Sequence, residues 1–422
     1  MNNSVSQELL KFLQKSPTAF HAVAQMKDEL LKARFTELKE NERWKIERGG
    51  HYFVTRNDSS LIAFTIPENG IDKMHILTSH SDSPTFKIKE NPEIEVEKHY
   101  VKLNVEKYGG MLCAPWFDRP LSVAGRVIIK DKTNGQFTSK LVNIDRDLVM
   151  IPNLAIHMNR EINSGYNYNA QKDLLPLYGC GSPKGTFMEQ IAEAAGVEKD
   201  EILGHDLFLY NRQEGSIWGA SEEFISSGRL DDLQCAFASL QGFLSGEKKD
   251  CMAVHCVLDN EEVGSGTKQG AASTFLFDTL IRVHEALGYD GEDYRVHLAD
   301  SFMISADNAH AVHPNYTEKA DPTNRPYLNE GIVLKFNANQ KYCTDAVSAA
   351  MFRDLCKRAD VPVQTFTNRS DMAGGSTLEY SHSVALNTVD IGLPQLAMHS
   401  PYETAGVKDT EYLVRAAKEF FC

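Results

Sequence analysis

Histidine and carboxylate side chains stand at several points of this 422-residue sequence where an apolar strand ends or a helix begins. In open α/β sheets this edge is where ligands bind. Imidazole nitrogens and carboxylate oxygens form a hard ligand set that suits a pair of divalent cations such as Zn²⁺. The residues that form this pattern are His80, Asp82, Asp231, Glu261, Glu262, Asp307 and His399. Together they predict a dinuclear metal site with hydrolytic chemistry.

Each of these residues also has a structural explanation when it is taken alone. Asp231 opens a predicted helix, where aspartate commonly accepts backbone N–H groups as an N-cap. Glu261 and Glu262 could form a solvated turn, although an apolar strand precedes them and glycines follow. His80 and Asp82 are two residues apart, so both side chains leave the same face of an extended chain and one can orient the other. The combination, rather than any single residue, predicts the metal site.

Two metals a few ångströms apart need a bridging carboxylate, terminal ligands and a base. Asp231 is the predicted bridge. Glu261 is left over as the general base, which would take a proton from the water held between the metals and return it to the leaving amine. The terminal ligands are predicted as His80 and Asp307 on one metal and Glu262 and His399 on the other. Spacing supports this set and leaves the pairing with individual metals open.

Strands and helices alternate at both ends of the chain, and this alternation predicts an α/β fold. The expected core is a mostly parallel sheet flanked by helices. A helix is predicted in LDDLQCAFASLQGFL (230–244), where apolar residues recur at helical spacing. Buried parallel strands are predicted in IDKMHILTSHSD (71–82), CMAVHCVLDN (251–260), VHLADSFMISADN (296–308) and LPQLAMHS (393–400).

The middle of the chain has a different pattern, with short alternating runs separated by Gly, Asn and Asp turns from about 94 to 151. It predicts a β-rich domain inserted into the α/β domain. The expected division is a catalytic domain formed by residues 1–92 and 223–422, with residues 93–222 as the insert. A helix is predicted at 187–195 near the end of this insert.

Composition excludes several classes of protein. The chain has 44 Lys and Arg against 58 Asp and Glu, a formal net charge of −14, which argues against a nucleic-acid binder. No apolar run is long enough to span a membrane, and the first residues read as an amphipathic helix rather than a signal peptide. Eight cysteines without a Cys-x-x-Cys pair indicate reduced thiols. We therefore expect a cytoplasmic protein.

At these residues the chain resembles the aspartyl aminopeptidase family, the dinuclear metallo-aminopeptidases that include vacuolar aminopeptidase I. The resemblance implies the same five metal ligands, Glu261 as base, and Asp82 in support of Glu261 or of His80. SPTAFHAV near the N-terminus also fits the family. The matching motifs are SHSDSPTFKIK (79–89), SGRLDDL (227–233), DNEEVGSGTKQGA (259–271), SADNAHAVHPNY (305–316), MAGGSTLE (372–379) and MHSPYETAG (398–406).

The resemblance also implies features that spacing alone does not indicate. The insert would be a dimerisation domain, and His157 would reach the partner subunit's active site to stabilise the tetrahedral oxyanion. Lys335 would be the cation that binds an acidic first residue. Without the resemblance, His157 reads as a surface-loop histidine and Lys335 as a solvated strand residue. Homodimers would build a larger homo-oligomer, a tetrahedral dodecamer.

The expected function is removal of the N-terminal residue from peptides, with a preference for Asp or Glu, using two Zn²⁺ ions or, as alternatives, Co²⁺ or Mn²⁺. Other readings are a family member with neutral or broad specificity, another dinuclear hydrolase such as a carboxypeptidase or deacylase, and a non-catalytic scaffold. The intact ligand set argues against a scaffold. A carboxypeptidase needs a basic residue for the substrate C-terminus, and the motifs do not display one.

Overall fold

The computed structural model describes residues 4–181, 183–248, 250–372 and 386–421, and the chain forms two compact units. Unit 1 comprises residues 1–82, 215–398 and 403–422, and unit 2 comprises residues 83–214 and 399–402. The sequence placed the first boundary after residue 92, but strand Thr85–Val96 runs through that point without a break. The role of unit 2 in dimerisation stays a prediction.

Seven helices of unit 1 form where apolar residues recur at helical spacing. The first of them ends directly before Ser16-Pro17, because a residue that precedes proline is disfavoured in the helical conformation. These helices are α1 (Ser4–Lys15), α2 (Ala19–Lys32), α4 (Leu230–Ser245), α5 (Phe275–Ala286), α6 (Gly291–Ala299), α7 (Ala346–Arg358) and α8 (Asp409–Phe420).

A nine-stranded sheet is the centre of unit 1, and its strand order is β1-β2-β3-β13-β4-β14-β18-β16-β17. The four strands β13, β4, β14 and β18 are mutually parallel, so their carboxyl ends share one edge. The bounds are β1 (Thr36–Leu38), β2 (His51–Arg56), β3 (Ser60–Thr65), β4 (Met74–His80), β13 (Met252–Leu258), β14 (Phe302–Ala306), β16 (Ile332–Lys335), β17 (Val363–Phe366) and β18 (Asn387–Gly392).

Helices cover both faces of this sheet. Successive strand residues alternate between two apolar cores: Leu77 packs with α1, α2, α4, α7 and α8, whereas Ile76 packs with α5 and α6. Because both faces are covered, the central strands are mostly apolar, and every residue of β13 and β14 is buried. The predicted α/β class is confirmed.

Unit 1 also contains a five-stranded sheet in the order β11-β12-β20-β19-β15. Its strands are β11 (Ser216–Trp218), β12 (Phe224–Ser227), β15 (Ala309–His310), β19 (Pro394–Leu396) and β20 (Glu403–Gly406). The prediction that LPQLAMHS belongs to the main parallel sheet is wrong, because β18 takes that place. Asp390 interrupts the apolar pattern of β18. It is nevertheless buried, and the amide of Cys343 donates to its carboxylate. The apolar pattern therefore did not reveal this strand.

A second correction concerns VHLADSFMISADN. Its first four residues end α6, and only Phe302–Ala306 forms a strand. A short apolar run does not distinguish a buried helix from a buried strand by its pattern alone. No helix of the described part of the chain is long and apolar enough to cross a membrane.

Unit 2 is built on a six-stranded antiparallel sheet in the order β8-β7-β10-β5-β6-β9. Helix α3 (Phe187–Ala195) has the predicted bounds and packs in the same apolar core as the sheet. The strands are β5 (Thr85–Val96), β6 (Tyr100–Tyr108), β7 (Leu121–Lys130), β8 (Phe137–Asn143), β9 (Leu177–Cys180) and β10 (Ile202–Asn211).

Candidate metal centre and active site

His80 is the last residue of β4, and its side chain is buried. Its Nδ1 lies 3.1 Å from the backbone carbonyl oxygen of Asp82, and a carbonyl only accepts, so Nδ1 carries the donated proton. In the neutral ring this leaves the lone pair on Nε2. That atom faces Asp231 Oδ1 at 3.4 Å and Asp307 Oδ1 at 3.7 Å. A neutral ring held in this way would bind a metal through Nε2. Without a cation, burial would lower the pKa of His80, but hydrogen bonds with Asp231, Asp307 and Asp82 outweigh it and raise the pKa well above its ordinary value.

Asp231 lies in an irregular turn at the start of α4. Its backbone angles (φ −80°, ψ 109°) are not helical, and the peptide bond to Asp232 is cis. Asp232 is fully buried, and its Oδ2 accepts the backbone N–H of His80 at 3.0 Å. The simple N-cap explanation for Asp231 does not describe this turn, because the chain enters the helix only after Asp232.

Asp82 holds the turn that carries the two glutamates. Its Oδ1 and Oδ2 accept the backbone N–H groups of Glu261 and Glu262, each at 3.1 Å. This turn follows β13 as a single 3₁₀ turn, Glu261–Val263, and Asn260 and Gly264 on either side of it adopt left-handed angles. Asp82 lies two residues beyond the end of β4, so it brings the strand end and the glutamate turn together.

Asp307 directly follows β14 and is buried, as is Lys335 at the end of β16. Lys335 Nζ lies 3.6 Å from Asp307 Oδ2, and the lysine side chain is 4% exposed. Its reading as a solvated strand residue is wrong. Burial alone would lower the pKa of Lys335, but Asp307, Tyr342 and Asp390 outweigh it and raise the pKa, so the ammonium is charged.

The structure thus brings together donor atoms of His80, Asp231, Asp232 and Asp307, all within 4.8 Å of one another. His80, Glu261 and Glu262 form an overlapping group by the same measure. Asp232 is the member that the sequence reasoning did not assign a role. The available signal was that Asp232 directly follows the predicted bridging ligand Asp231 in the motif LDDL.

Electrostatics in this cluster reflect an excess of carboxylates. Burial, followed by the neighbouring Asp307, Asp231 and Asp82, raises the pKa of Glu261 to about 8, although His80 acts in the opposite sense. Burial and Asp231 also raise the pKa of Glu262 well above its ordinary value. Without cations, protein and solvent therefore cannot keep all these groups ionised, and protons compensate the charge instead.

Divalent cations fit this donor set. Several buried carboxylates and one imidazole with its lone pair directed into the cluster match the mixed nitrogen and oxygen ligands that Zn²⁺ binds. Cations would supply the positive charge whose lack raises the pKa of Glu261 and Glu262. The ordered second partner of His80, the Asp82 carbonyl, is a feature typical of metal-binding histidines.

Two predicted site residues belong to unit 2. His399 has left-handed backbone angles (φ 67°), and its Nδ1 donates to the carbonyl oxygen of Gly110 at 2.5 Å, which leaves Nε2 as the lone-pair atom of the neutral ring. His157 lies in an exposed turn after β8. Apart from Met372, the motif MAGGSTLE lies outside the described residues.

Comparisons with known proteins agree with this geometry. A sequence profile described as "Aminopeptidase I zinc metalloprotease (M18)" matches residues 12–421. A probable M18 family aminopeptidase 2 of Clostridium novyi is 49% identical over the whole of both chains. Among solved structures, a complex of Ape4 and Nbr1 has a TM-score of 0.95 at 36% identity, covering 99% of this chain and 85% of that one. The mApe1 dodecamer of S. cerevisiae has a TM-score of 0.87 at 29% identity, covering 99% and 96%.

The α/β scaffold with a buried cluster of histidine and carboxylate ligands defines the class of metal-dependent hydrolases. Within that class, the chain belongs to the M18 family of zinc metallo-aminopeptidases. The resemblance inferred from the motifs is confirmed, and so is peptide hydrolysis by an aminopeptidase. The buried cluster fits the metal site that the family name requires.

Proposed function

We propose that the chain is a dinuclear aminopeptidase that removes N-terminal Asp or Glu residues, with Zn²⁺ as the metal. The observation that carries this proposal is the buried cluster around His80 Nε2, where carboxylates of unit 1 converge at the carboxyl edge of the parallel strands. The proposed ligands are His80, Asp231, Glu262, Asp307 and His399.

Glu261 is the proposed general base. Two divalent cations bound here would polarise the scissile carbonyl and make the attacking water more acidic. The Glu261 carboxylate would take a proton from that water and deliver it to the nitrogen of the leaving peptide. Its carboxylate belongs to the same donor group as His80 and Glu262, which puts it beside the proposed ligands.

Asp82 is proposed to act on the base through the backbone. Its two carboxylate oxygens fix the amides of Glu261 and Glu262, so the position of the base and of one ligand depends on the same side chain. Its carbonyl oxygen also orients His80. We therefore assign Asp82 a positioning role for both residues.

His157 is proposed to stabilise the oxyanion in the active site of a partner subunit. Its turn is exposed and carries apolar side chains that water normally does not contact: Leu154, Ile156 and Met158 are 55%, 47% and 70% exposed. Such a patch is typical of a surface covered in an assembly. One similar structure is a dodecamer. These observations support a homo-oligomer, and we propose that it is a homodimer that assembles further into a tetrahedral dodecamer.

Lys335 is the proposed determinant of acidic specificity. A net charge of −14 gives acidic peptides no long-range attraction, so selectivity needs a local cation. The buried ammonium of Lys335 would interact with a substrate carboxylate more strongly than an exposed lysine, because the surrounding dielectric is lower. Its existing ion pair with Asp307 at 3.6 Å also favours a second candidate, an aminopeptidase of neutral or broad specificity.

We also place the enzyme in the cytoplasm. The cysteines of the described residues, which exclude Cys422, are all free thiols, and this agrees with a reducing compartment.

A metal-replacement assay tests the function. Protein stripped with a chelator should lose hydrolysis of aminoacyl substrates and recover it with Zn²⁺, Co²⁺ or Mn²⁺, with Asp and Glu substrates cleaved fastest. Two bound ions per chain at full recovery would support the dinuclear site, and one would contradict it. Equal rates across acidic and neutral substrates would favour the broad-specificity candidate.

A further inference from the structure

Glu403 is a buried carboxylate that the proposed reaction does not use. It is 2% exposed and begins β20, four residues after His399 in the sequence. Its Oε2 accepts the backbone N–H of Asp231 at 3.0 Å, across 172 residues of sequence. Neither the motifs nor the family name assigns it a role.

The local backbone explains why Asp231 needs such a partner. The first N–H groups of a helix have no acceptor within the helix. Here the left-handed Arg229 (φ 62°) and the non-helical angles of Asp231 turn the chain at the start of α4. Arg229 Nη2 donates to the carbonyl oxygen of Leu13, so the turn is held from α1 on that side. Glu403 holds the amide of Asp231, two residues further along the chain.

The strand pairing fixes Glu403 itself. β20 pairs with β12 in antiparallel register, with Glu403 opposite Ser227. β12 is the strand that leads through Gly228 and Arg229 into Asp231. The pairing of β12 with β20 therefore fixes where the chain enters the Asp231 turn. It also fixes the position of the Glu403 carboxylate that accepts the Asp231 amide.

A carboxylate is a costly choice for this contact. A neutral acceptor such as glutamine or serine would satisfy one amide without adding negative charge beside a cluster that already holds an excess of acids. The charge becomes favourable once cations occupy the cluster, because a carboxylate that fixes a metal ligand also adds to the field felt by the metal.

We infer that Glu403 is a positioning residue for metal binding, acting through the Asp231 backbone. This inference rests on the proposed role of Asp231 as a ligand. Residues that hold a ligand from behind typically change metal affinity about 10- to 100-fold when they are replaced. The alternative is that Glu403 caps the helix for stability alone.

The test compares metal-stripped full-length variants by Zn²⁺ titration against a competing chelator, with apo-protein thermal unfolding measured in parallel. Glu403→Ala should bind Zn²⁺ about 10- to 100-fold more weakly, with activity restored at high Zn²⁺. Glu403→Gln keeps an acceptor for the amide and should lose less affinity than Glu403→Ala. Both should shift the visible spectrum of the Co²⁺-loaded protein, which reports the geometry of the ligands.

Thr404→Val is the matched control. Thr404 Oγ1 hydrogen-bonds Ser226 Oγ at 2.8 Å in the same ladder, so the variant weakens this strand pair without touching Asp231. It should keep wild-type Zn²⁺ affinity. If Glu403→Ala binds Zn²⁺ like the wild type, or loses no more than Thr404→Val, the inference is overturned.

Two further outcomes are decided by other variants. If Glu403→Ala does not fold, Glu403→Gln decides, and wild-type affinity with an unchanged Co²⁺ spectrum overturns the inference. Asp231→Asn separates the two proposals. Normal binding of two ions by Asp231→Asn would refute the ligand role itself, whereas loss of metal in Asp231→Asn with none in Glu403→Ala refutes only the role of Glu403.

Discussion

The cluster around His80 in unit 1 and the turn around His157 in unit 2 differ in burial. The cluster is buried and hydrogen-bonded within one chain, whereas the turn is exposed. In the cluster, the His80 ring is buried, its Nδ1 hydrogen-bonds a backbone carbonyl, and buried carboxylates hold the amides of the proposed ligands His80 and Glu262. His157 lies in an exposed turn between exposed apolar residues. The first region is preorganised by the fold of one chain, and the second exposes apolar side chains, as expected if the proposed partner subunit covers it.

This difference implies two kinds of sensitivity. Replacement of a residue in the cluster should affect each chain separately, because its donor groups come from one chain. Replacement of a residue in the turn should affect activity only through assembly, if His157 acts on a partner subunit. The predictions below are ordered by the size of the expected effect on activity.

Glu261→Gln should lower kcat about 100-fold or more while leaving the bound metal in place, since it removes the base but keeps the shape of the side chain. Turnover and metal content measured on the same sample check this. Glu285→Gln, an exposed replacement on α5, should retain wild-type turnover. A near-normal kcat in Glu261→Gln would show that Glu261 is not the general base.

His157→Ala should lower kcat about 100-fold, the effect typical of a lost oxyanion donor, with metal content unchanged. Mixing inactive His157→Ala chains with inactive Glu261→Gln chains should restore part of the activity, because a mixed oligomer contains sites with an intact base and a partner's intact histidine.

His99→Ala is the control for this experiment, since His99 is another exposed histidine of unit 2. It should remain active alone. The contrary outcome is no recovery of activity in oligomers that are proven to contain both inactive chains. It would show that His157 does not act in the partner's site, so the exposed turn would have no role in catalysis.

Lys335→Met should reduce kcat/KM for Asp and Glu substrates about 10- to 100-fold relative to neutral ones, as expected for the loss of a hydrogen bond to a charged group. The ratio between substrates is the measurement, because loss of the Asp307 partner could lower all rates together. Lys341→Met is the control, because Lys341 lies six residues after Lys335 in the sequence and is exposed. An unchanged ratio would support broad specificity.

His255 should make unit 1 sensitive to acid without affecting activity at neutral pH. It is buried in β13, where burial lowers its pKa to about 3 and Ser239 Oγ lies 2.7 Å from Nδ1. As pH falls below about 6.5, the unfolded state takes up a proton that the folded state refuses. The free energy of unfolding should therefore fall by as much as about 1.4 kcal/mol per pH unit until the folded pKa is reached.

Denaturant unfolding between pH 7 and pH 4 checks this contribution. His255→Gln should show a shallower loss of stability than the wild type over that range, whatever its stability at pH 7. His99→Gln, which removes an exposed imidazole in unit 2, serves as the control. Identical slopes for the wild type and His255→Gln would contradict the prediction.

Sequence reasoning worked best where strand ends and function coincide. The apolar runs before His80 and Glu261 are β4 and β13, and the residues that follow them meet because parallel strands share one carboxyl edge. It failed for the stretch before His399, since a buried aspartate made β18 look less like a strand than the short β19. The periodicity of a single strand does not report which sheet will receive it.

Residue types and spacing alone determined the α/β class, and they predicted the ligand types and the base, because metal hydrolysis needs particular donor atoms at the ends of apolar strands. Tertiary structure alone decided the supporting contacts. Asp232 and Glu403 hold the amides of His80 and Asp231 across 152 and 172 residues, and Lys335 is buried against Asp307. Such contacts depend on the register between distant strands and on burial, which arise only when the whole chain has packed.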